Sequence, residues 1–397
     1  MKKKKTICLV TNWYPTPENP YQGLFFKEQA LELQDKYRFV VIHYGFQRSI
    51  KKGFSKVELC NEESNIKEYN ITIQTNTFKY HIHNILDKRN NKGCSLEMRK
   101  FVEVTKECMG EDGVDVFYTI SAQTEGKYVR SLSQEYKKPY IISEHGPVPW
   151  LDTVVRQENK KAIEEADLFL AISNDKIRQV MMQGIKMPPC VYVGNMVDES
   201  IFMYKKSNNE VKTFVTVGAH VFYKNYDMLI LVFNKLKEIS SIPFKLIIVG
   251  YDANRGYSRD AQMLEKKIHD SEFSHYVEMI PFVKHSKIAE IYARADAFVM
   301  TSVQEGQPVS AIEAACCGLP IFSTRCGGVE DYVDDSIGRI FSINDIGGMA
   351  RELSQFLDGK IKFDSEHIRN VIVNKFGREQ FKNAMENAFE SVIEKTL

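Results

Sequence analysis

Short apolar runs that alternate with amphipathic segments are the sequence feature that most limits how this chain can fold. In the first half, the apolar runs predict strands at Thr6–Thr11, Phe39–Tyr44, Val114–Thr119, Tyr140–Ser143 and Leu168–Ile172. Apolar residues at helical spacing predict helices at Leu24–Tyr37, Ala122–Tyr136, Thr153–Glu165 and Asn174–Gln183. Strands that alternate with helices in this way are typical of parallel α/β sheets.

The same alternation begins again after a polar stretch, Asp198–Lys212, which we interpret as a linker. The second set of strands is predicted at Thr213–Val217, Lys245–Val249, Val277–Ile280, Ala297–Met300, Pro320–Ser323 and Arg339–Phe341. The second set of helices is predicted at Tyr226–Ile239, Arg259–Asp270, Lys287–Arg294 and Val309–Cys317.

Two such cycles predict an α/β protein of two Rossmann-like, doubly wound domains, residues 1–195 and 196–377. Ligands of doubly wound sheets bind beyond the carboxyl ends of the strands, so a cleft between two such domains is the expected site. A final helix, at about 378–397, carries an apolar stripe and is expected to pack back on the first domain. Phe46–Gly113 shows no clear pattern beyond strand-like alternation in Ile71–Ile85.

Composition narrows the class of function. Among the 397 residues, 53 Lys and Arg nearly balance 52 Asp and Glu, which does not favour a nucleic-acid partner. The 8 Cys are scattered without a Cys-x-x-Cys pair, as expected of free thiols in a reducing cytoplasm. No apolar run approaches the roughly 20 residues that span a bilayer. The run Lys2–Lys5 is either a solvated tail or a weak contact with an anionic membrane surface.

The segment from Ala297 to Pro320 combines a buried strand, a polar turn and a short helix. Pro308 occupies the first turn of the helix, where proline is favoured, and Gly318 stands where a helix ends in a left-handed residue. The helix therefore begins at the carboxyl end of a strand. Its free amides, from Val309 and Ser310 onward, would form an anion-binding site.

Two carboxylates lie on either side of this helix N-terminus. Glu305 precedes the helix, and Glu313 lies inside it among apolar neighbours, where an unpaired carboxylate would be costly. From these residues alone two interpretations remain open. Glu305 is a helix cap and Glu313 part of an ion pair, or both accept hydrogen bonds from hydroxyls of a ligand whose diphosphate lies at the helix N-terminus.

The spacing Glu305-x7-Glu313, with Gly306-Gln307-Pro308 between the two acids, resembles the signature of the GT4 family of retaining glycosyltransferases, which have a GT-B fold. The resemblance implies that Glu305 contacts hydroxyls of a donor sugar and that Glu313 contacts the ribose of a nucleotide. It assigns catalytic roles to Glu305, Lys224 and His145, with Lys224 neutralising the diphosphate and His145 bonding the sugar near the reacting carbon.

The resemblance also assigns residues that bind the nucleotide-sugar donor. Phe282 would pack near the base, Asn195 would satisfy the backbone of an interdomain turn, and Gly23 would allow close approach of the backbone to the ligand. The full donor-binding set is Glu313, Gly306, Gln307, Pro308, Val309, Ser310, Gly218, Gly23, Phe282 and Asn195.

The family's second diphosphate-binding cation, an Arg, is replaced here by Ala219. Arg255, His220 and Arg325 are the candidate substitutes. From the residues alone, Lys224 is an ordinary surface lysine, Gly23 part of a turn and His145 a structural loop histidine.

The resemblance implies a nucleotide-sugar substrate, with a bias to UDP, and a glycan or lipid-linked acceptor. Asp-x-Asp, the motif with which another glycosyltransferase fold holds a metal, is absent, so no metal or other cofactor is expected. Fixed donors would then stabilise the leaving diphosphate. We expect a front-face reaction with retention, in a cytoplasmic protein that contacts the membrane peripherally at most.

Three other functions compete with this interpretation. A UDP-sugar 2-epimerase shares the fold but interconverts its sugar without an acceptor. A non-catalytic subunit would retain the scaffold, and Ala219 is its only support in the sequence. A dinucleotide-dependent oxidoreductase is disfavoured, because no Gly-x-Gly-x-x-Gly follows a predicted strand.

Overall fold

A computed structural model describes residues 3–16, 19, 22–49, 55–63, 65–76, 96–110, 113–146, 157–205, 209–251 and 258–396. The chain divides into two compact units. Unit 1 comprises Met1–Ile172, Lys176–Val193 and Lys382–Leu397, and unit 2 comprises Ser173–Asp175 and Gly194–Phe381. The start of the helix expected at Thr153–Glu165, part of Ile71–Ile85 and the candidate cation Arg255 lie outside the described residues.

The first sheet has eight strands in the order β3-β4-β2-β1-β5-β6-β7-β8. The strands are β1 (Lys5–Thr11), β2 (Tyr37–Ser49), β3 (Ser55–Glu63), β4 (Ile66–Asn76), β5 (Val116–Thr119), β6 (Tyr140–Ser143), β7 (Leu168–Ala171) and β8 (Cys190–Tyr192). The helices in this part of the chain are α1 (Leu24–Leu33), α2 (Leu96–Met109), α3 (Gly126–Tyr136), α4 (Gln157–Glu164) and α5 (Asn174–Met182).

Seven strands of this sheet run parallel, and β3 pairs antiparallel with β4 at one edge. The central strands are short, apolar and buried on both faces, as in other parallel sheets covered by helices. Strand order reverses between β1 and β5, so the loops that follow these two strands diverge at the carboxyl edge.

The second sheet has six parallel strands in the order β11-β10-β9-β12-β13-β14. They are β9 (Lys212–Val217), β10 (Phe244–Tyr251), β11 (Val277–Pro281), β12 (Ala297–Met300), β13 (Ile321–Thr324) and β14 (Gly338–Phe341). The helices are α6 (Tyr226–Ile239), α7 (Ser258–His269), α8 (His285–Tyr292), α9 (Val309–Cys316), α10 (Ile346–Leu357), α11 (Ser365–Phe376) and α12 (Arg378–Ile393). Here the strand order reverses between β9 and β12.

The first helix is shorter than its sequence pattern predicts. The prediction extended the helix to Tyr37, whereas α1 ends at Leu33 and Tyr37 begins β2 opposite Lys5. The Tyr37 ring is 2% exposed and packs edge-on against Phe389 of α12, with ring centroids 5.4 Å apart. Burial of this ring in the sheet outweighs the local helical periodicity, so this boundary was wrong.

The segment that sequence analysis left unassigned, Phe46–Gly113, contains the end of β2, the hairpin of β3 and β4, and helix α2. Helices α10 and α11 were also not predicted. The final helix, expected at about 378–397, ends at Ile393 and is followed by a 3₁₀ turn. Among the residues that the structure describes, no helix is both long and apolar enough to cross a bilayer.

Candidate active site

The candidate site in unit 2 is built where the strand order of the second sheet reverses. The loop after β9 and the loop after β12 both begin at the carboxyl edge of the sheet, and hydrogen bonds join them. The Val303 amide donates to the Tyr223 carbonyl at 2.7 Å, and the Thr301 hydroxyl donates to the Asn225 carbonyl at 3.0 Å. The two loops therefore form one structure at the position where doubly wound sheets bind ligands.

Lys224 and Glu305 form an ion pair between these loops. Lys224 Nζ lies 2.7 Å from Glu305 Oε1, and the Ser302 hydroxyl donates to the same oxygen at 2.7 Å. The two side chains are only 17% and 8% exposed. Burial by itself would lower the pKa of Lys224, but the adjacent Glu305 carboxylate raises it above its ordinary value. Lys224 is thus a cation held at the carboxyl edge of the sheet.

Glycines allow backbone segments to approach one another closely around this ion pair. Gly328 has φ +72°, and a Cβ there would lie 2.6 Å from the Gly306 carbonyl oxygen. At Gly327, with φ +94°, a Cβ would lie 2.9 Å from the Glu305 carbonyl oxygen. At Gly218 a Cβ would lie 3.1 Å from Lys224 Cε. At Gly327 and Gly328 only glycine fits without displacing backbone, whereas a Cβ at Gly218 would require a small shift of the Lys224 side chain.

Helix α9 begins directly after Glu305-Gly306-Gln307-Pro308. Pro308 is its N-cap, with extended backbone, and makes no side-chain cap hydrogen bond. The amides of Ala311 and Ile312 both donate to the Pro308 carbonyl. The amides of Val309 and Ser310 donate to no acceptor among the described residues. The two predicted anion donors are therefore available at the positive end of the helix.

Glu313, in the second turn of α9, is held by two side chains of α8. His285 Nε2 lies 2.6 Å from Glu313 Oε1, and the Tyr292 hydroxyl lies 3.4 Å from Oε2 and donates to the Ser310 carbonyl at 2.9 Å. The Glu313 side chain is 6% exposed. Sequence analysis did not identify His285. Its position at the first residue of a helix, after a strand of the same sheet, was the available signal.

Two other predicted donor-binding residues, Asn195 and Gln307, bond to each other, in each case side chain to backbone. The Asn195 amide NH donates to Gln307 Oε1 at 2.5 Å, and Asn195 Nδ2 donates to the Gln307 carbonyl at 3.1 Å. Both residues are buried. These two hydrogen bonds fix the chain before α9. Phe282, predicted to pack near a base, follows the end of β11 and is half-buried.

Of the residues considered as substitutes for the missing Arg, His220 and Arg325 are described, and they lie in the loops after β9 and β13. Ala219 itself is exposed at the end of β9. The His220 ring contacts the Tyr226 ring, with centroids 5.2 Å apart, and Arg325 is exposed after β13. These positions single out neither residue as the substitute. No group of three or more His, Cys, Asp or Glu side chains in the described part of the chain is placed to hold a metal ion.

The two predicted site residues of unit 1 lie in one aromatic cluster at the carboxyl edge of the first sheet. His145 follows β6, and its ring lies 4.8 Å from that of Phe26, which in turn lies 5.8 Å from that of Trp13. Gly23, with φ +64°, is the N-cap of α1 and packs on the Trp13 carbonyl. The close approach observed for Gly23 is therefore to this carbonyl, within the protein itself.

Two fully buried carboxylates, which sequence analysis did not identify, hold the loops of the same edge. Glu125 accepts a hydrogen bond from the Asn12 amide at 3.1 Å. Glu144 accepts from the Gly146 amide at 2.7 Å and the Gln123 amide at 3.2 Å. Burial raises the pKa of Glu125 to about 7 and also raises the pKa of Glu144. Both carboxylates thus bind backbone amides beside His145 and Trp13.

The comparison with protein families identifies the domain that carries most of these residues. A sequence model described as glycosyl transferases group 1 matches residues 198–373, which include Lys224, Glu305 and Glu313. This chain contains a glycosyl transferases group 1 domain. The match confirms the resemblance to GT4-type glycosyltransferases that the Glu305-x7-Glu313 spacing indicates.

Two curated relatives are similar to this chain. A phosphatidylinositol N-acetylglucosaminyltransferase subunit of Arabidopsis thaliana is 26% identical over 179 residues, which are 44% of the chain and 38% of the relative. N-acetyl-alpha-D-glucosaminyl L-malate synthase of Bacillus anthracis is 23% identical over 258 residues, which are 62% of the chain and 65% of the relative. This chain thus matches less than two thirds of the length of either relative.

Solved structures show the fold of this chain. Sucrose-phosphate synthase from Thermosynechococcus elongatus superposes with a TM-score of 0.75 at 15% identity, covering 99% of this chain and 100% of that one. Anabaena HepE, in complex with UDP, gives a TM-score of 0.72 at 14% identity, covering 98% and 100%. The predicted GT-B architecture, with two Rossmann-like parallel-sheet domains, is confirmed.

Proposed function

We propose that this chain is a retaining glycosyltransferase that moves a sugar from a nucleotide-sugar donor. The observation that carries the proposal is the N-terminus of α9. Two free amides, Val309 and Ser310, lie there between two acceptor carboxylates, Glu305 and Glu313. A nucleotide sugar is a diphosphate that joins a ribose to a second sugar. If its diphosphate binds the two amides, one of these sugars lies near each carboxylate.

UDP is the proposed nucleotide. Anabaena HepE, whose fold this chain shares, is described in complexes with UDP and with UDP-glucose. The choice of UDP is supported by the shared fold together with the group 1 domain. Neither observation identifies the transferred sugar.

The proposed chemistry relies on fixed charge and dipoles to stabilise the leaving diphosphate. As the bond between the anomeric carbon and the phosphate oxygen breaks, negative charge grows on that oxygen. Lys224 Nζ and the amides of Val309 and Ser310 are preorganised to stabilise this charge. In a front-face reaction the acceptor oxygen bonds to the same face of the anomeric carbon. The departing phosphate oxygen takes the acceptor's proton, so configuration is retained and no metal enters the scheme.

The proposed acceptor is a glycan or a lipid-linked saccharide, and the proposed location is cytoplasmic, with peripheral membrane contact. The name of the Arabidopsis thaliana relative includes phosphatidylinositol, a lipid, which supports a membrane-bound acceptor. The lysines at the start of the chain would add weak attraction to anionic headgroups. The roles of His145 and Gly23 stay predictions from the family resemblance.

The direct test is transfer from a panel of nucleotide sugars to lipid and glycan acceptors, with products identified by mass spectrometry. We expect Lys224→Ala to lower turnover at least about tenfold, a loss of roughly 1.4 kcal/mol of transition-state stabilisation. Lys235→Ala removes a lysine whose ion pair with Glu238 is exposed, and it serves as the matched control. Equal turnover of Lys224→Ala and Lys235→Ala would contradict the proposed site.

The same assay separates the alternatives. A non-catalytic subunit, suggested by Ala219, would bind nucleotide but release no nucleoside diphosphate with any acceptor. A 2-epimerase would convert the donor sugar without acceptor. The epimerase is not favoured, because the Arabidopsis thaliana and Bacillus anthracis relatives both carry the names of transfer or synthesis enzymes.

A further inference from the structure

His285 makes a short hydrogen bond to the carboxylate proposed to hold the nucleotide ribose. His285 Nε2 and Glu313 Oε1 are 2.6 Å apart, which is short for a hydrogen bond between nitrogen and oxygen. The Glu313 side chain is 6% exposed and that of His285 is 30% exposed. The histidine therefore bonds a nearly buried acid while keeping part of its ring at the surface.

The other contact of Glu313 is weaker. The Tyr292 hydroxyl has one proton, and its shorter contact, 2.9 Å, is to the Ser310 carbonyl. Its distance to Glu313 Oε2 is 3.4 Å. The main restraint on the carboxylate is therefore His285, which fixes Oε1 and leaves lone pairs of Oε2 for a ligand's hydroxyl groups.

The position of His285 along the chain connects two parts of the proposed site. It is the first residue of α8, and the preceding residues, Phe282 to Lys284, join it to β11. Phe282 in this connection is the residue predicted to pack near the base. A displacement of the connection would move His285, and with it the carboxylate.

We propose that His285 is a positioning residue that orients the Glu313 carboxylate toward the ribose hydroxyls of a nucleoside diphosphate. The proposal rests on the proposed function, because it assumes that Glu313 meets a ribose. His285 acts through Glu313 and does not touch the reacting atoms. The GT4 signature contains the two acids, Glu305 and Glu313, and His285 is a third side chain outside it.

The test is equilibrium binding measured by titration calorimetry. Wild type is titrated with UDP, GDP and ADP, and the tightest ligand is compared with its 2′,3′-dideoxy analogue. We expect His285→Ala to weaken binding of the ribonucleotide about tenfold, as expected for a hydrogen bond to a charged group. Binding of the dideoxy analogue, which offers Glu313 no hydroxyl groups, should stay unchanged.

Two further variants distinguish positioning from a general structural effect. His285→Gln can place an amide nitrogen near the position of Nε2, so it should restore most of the affinity. In a Glu313→Ala background, His285→Ala should add no further loss. His269→Ala is the control, because His269 also lies next to a carboxylate, Asp270, but is 87% exposed at the end of α7.

The outcomes separate this inference from the proposed function. If wild type binds none of the three nucleotides, the proposed function fails and the inference fails with it. If wild type binds but His285→Ala binds the ribonucleotide equally well, the inference alone is overturned. An equal loss for the ribonucleotide and its dideoxy analogue also overturns it, because such a loss does not depend on the ribose hydroxyls.

Discussion

Single residues at the carboxyl edge of the second sheet determine how closely the site loops can pack. Gly328 has a left-handed backbone, and a Cβ there would meet the backbone of Gly306 and Gln307. Gly359 has almost the same φ, +71° against +72°, but a Cβ there would meet nothing within 4 Å. The two glycines thus separate the cost of a left-handed conformation from the cost of a collision.

We predict that Gly328→Ala lowers stability more than Gly359→Ala does. Both variants bear a left-handed penalty of roughly 1 to 2 kcal/mol. Gly328→Ala adds overpacking against the Gly306 carbonyl, which costs about 1 to 3 kcal/mol more. Thermal unfolding followed by circular dichroism measures the difference. Equal melting temperatures for the two variants would show that the loop yields without cost.

Glu125 gives the stability of the protein a dependence on pH. Its pKa is raised by burial from 4.5 to about 7 in the folded chain, so the folded state binds the extra proton between these values. Its contribution to stability is complete below the unfolded pKa and is lost as pH rises through the folded pKa.

We therefore predict that Glu125→Gln becomes progressively more stable than wild type as pH rises from about 5 to about 8. The change in relative free energy of unfolding is up to about 3 kcal/mol. Melting temperatures of both proteins across this range are the measurement. Glu135→Gln is the control, because Glu135 is an exposed residue of α3, the helix whose N-cap is Glu125. A constant difference between Glu125→Gln and wild type would contradict the shifted pKa.

Sequence reasoning identified some of these residues and could not identify others. Lys224 and Glu305 follow two strands of one predicted sheet, so their proximity at 2.7 Å is a consequence of topology that a sequence can reveal. His285 and Glu125 were not found. Their hydrogen-bond partners depend on how α8 packs on α9 and on how the loops near α3 fold. The pattern of apolar and polar residues along the sequence does not predict that packing.

At the scale of elements, the short helix α9 is the part of the fold on which the proposed function depends most. Its N1 position, Val309, follows Pro308, whose backbone is extended, with ψ 103°, and so avoids the helical region that a following proline disfavours. Proline is favoured at N1, and it lacks the amide hydrogen. A proline here can therefore remove one proposed phosphate donor while keeping the helix.

We predict that Val309→Pro weakens nucleoside diphosphate binding about tenfold, the loss of one hydrogen bond to a charged group, with little change in melting temperature. Binding is measured by titration calorimetry with UDP. Ser365→Pro is the matched control, because it lies at the first residue of α11 and follows Asp364, whose ψ is also 103°. Unchanged affinity in Val309→Pro would exclude this amide as a donor.

Most helices and strands were predictable because their apolar residues repeat with a clear period. Predicted boundaries were wrong where tertiary packing determines the end of an element. Tyr37, for example, was predicted to end the first helix but is the first residue of β2. Of the β3–β4 hairpin, only strand-like alternation from Ile71 onward was noted, which overlaps the end of β4, and β3 was missed. Strand β3 carries many polar side chains and lies at an edge of the sheet, so its apolar alternation is weak.

At the scale of the whole molecule, each compact unit has its own sheet and its own hydrophobic core. Glu305, Lys224 and Glu313 all lie in unit 2. The proposed nucleotide contacts are therefore concentrated in one unit, in segments that are far apart in sequence and adjacent at the carboxyl edge of its sheet.

We predict that UDP slows amide hydrogen exchange in three segments of unit 2, residues 218–225, 301–312 and 326–329. The protected amides should include Val309 and Ser310, because ligand-bound amides exchange slowly. Peptides from α10 serve as the internal control. Exchange measured by mass spectrometry with and without UDP tests this. Protection confined to residues 1–172 would place the nucleotide elsewhere and contradict the proposed site.

Strand β3, the antiparallel strand at one edge of the first sheet, affects whether copies of this protein associate at high concentration. Its outer backbone could recruit a like strand from a neighbouring molecule, which is how sheets grow into fibres. Glu58 and Glu62 would then face like charges, and the pairing of this strand is irregular between Leu59 and Asn61. At the opposite rim, β8 is only three residues long. Both edge strands of the eight-stranded sheet, β3 and β8, therefore disfavour edge-to-edge pairing with another copy of the protein.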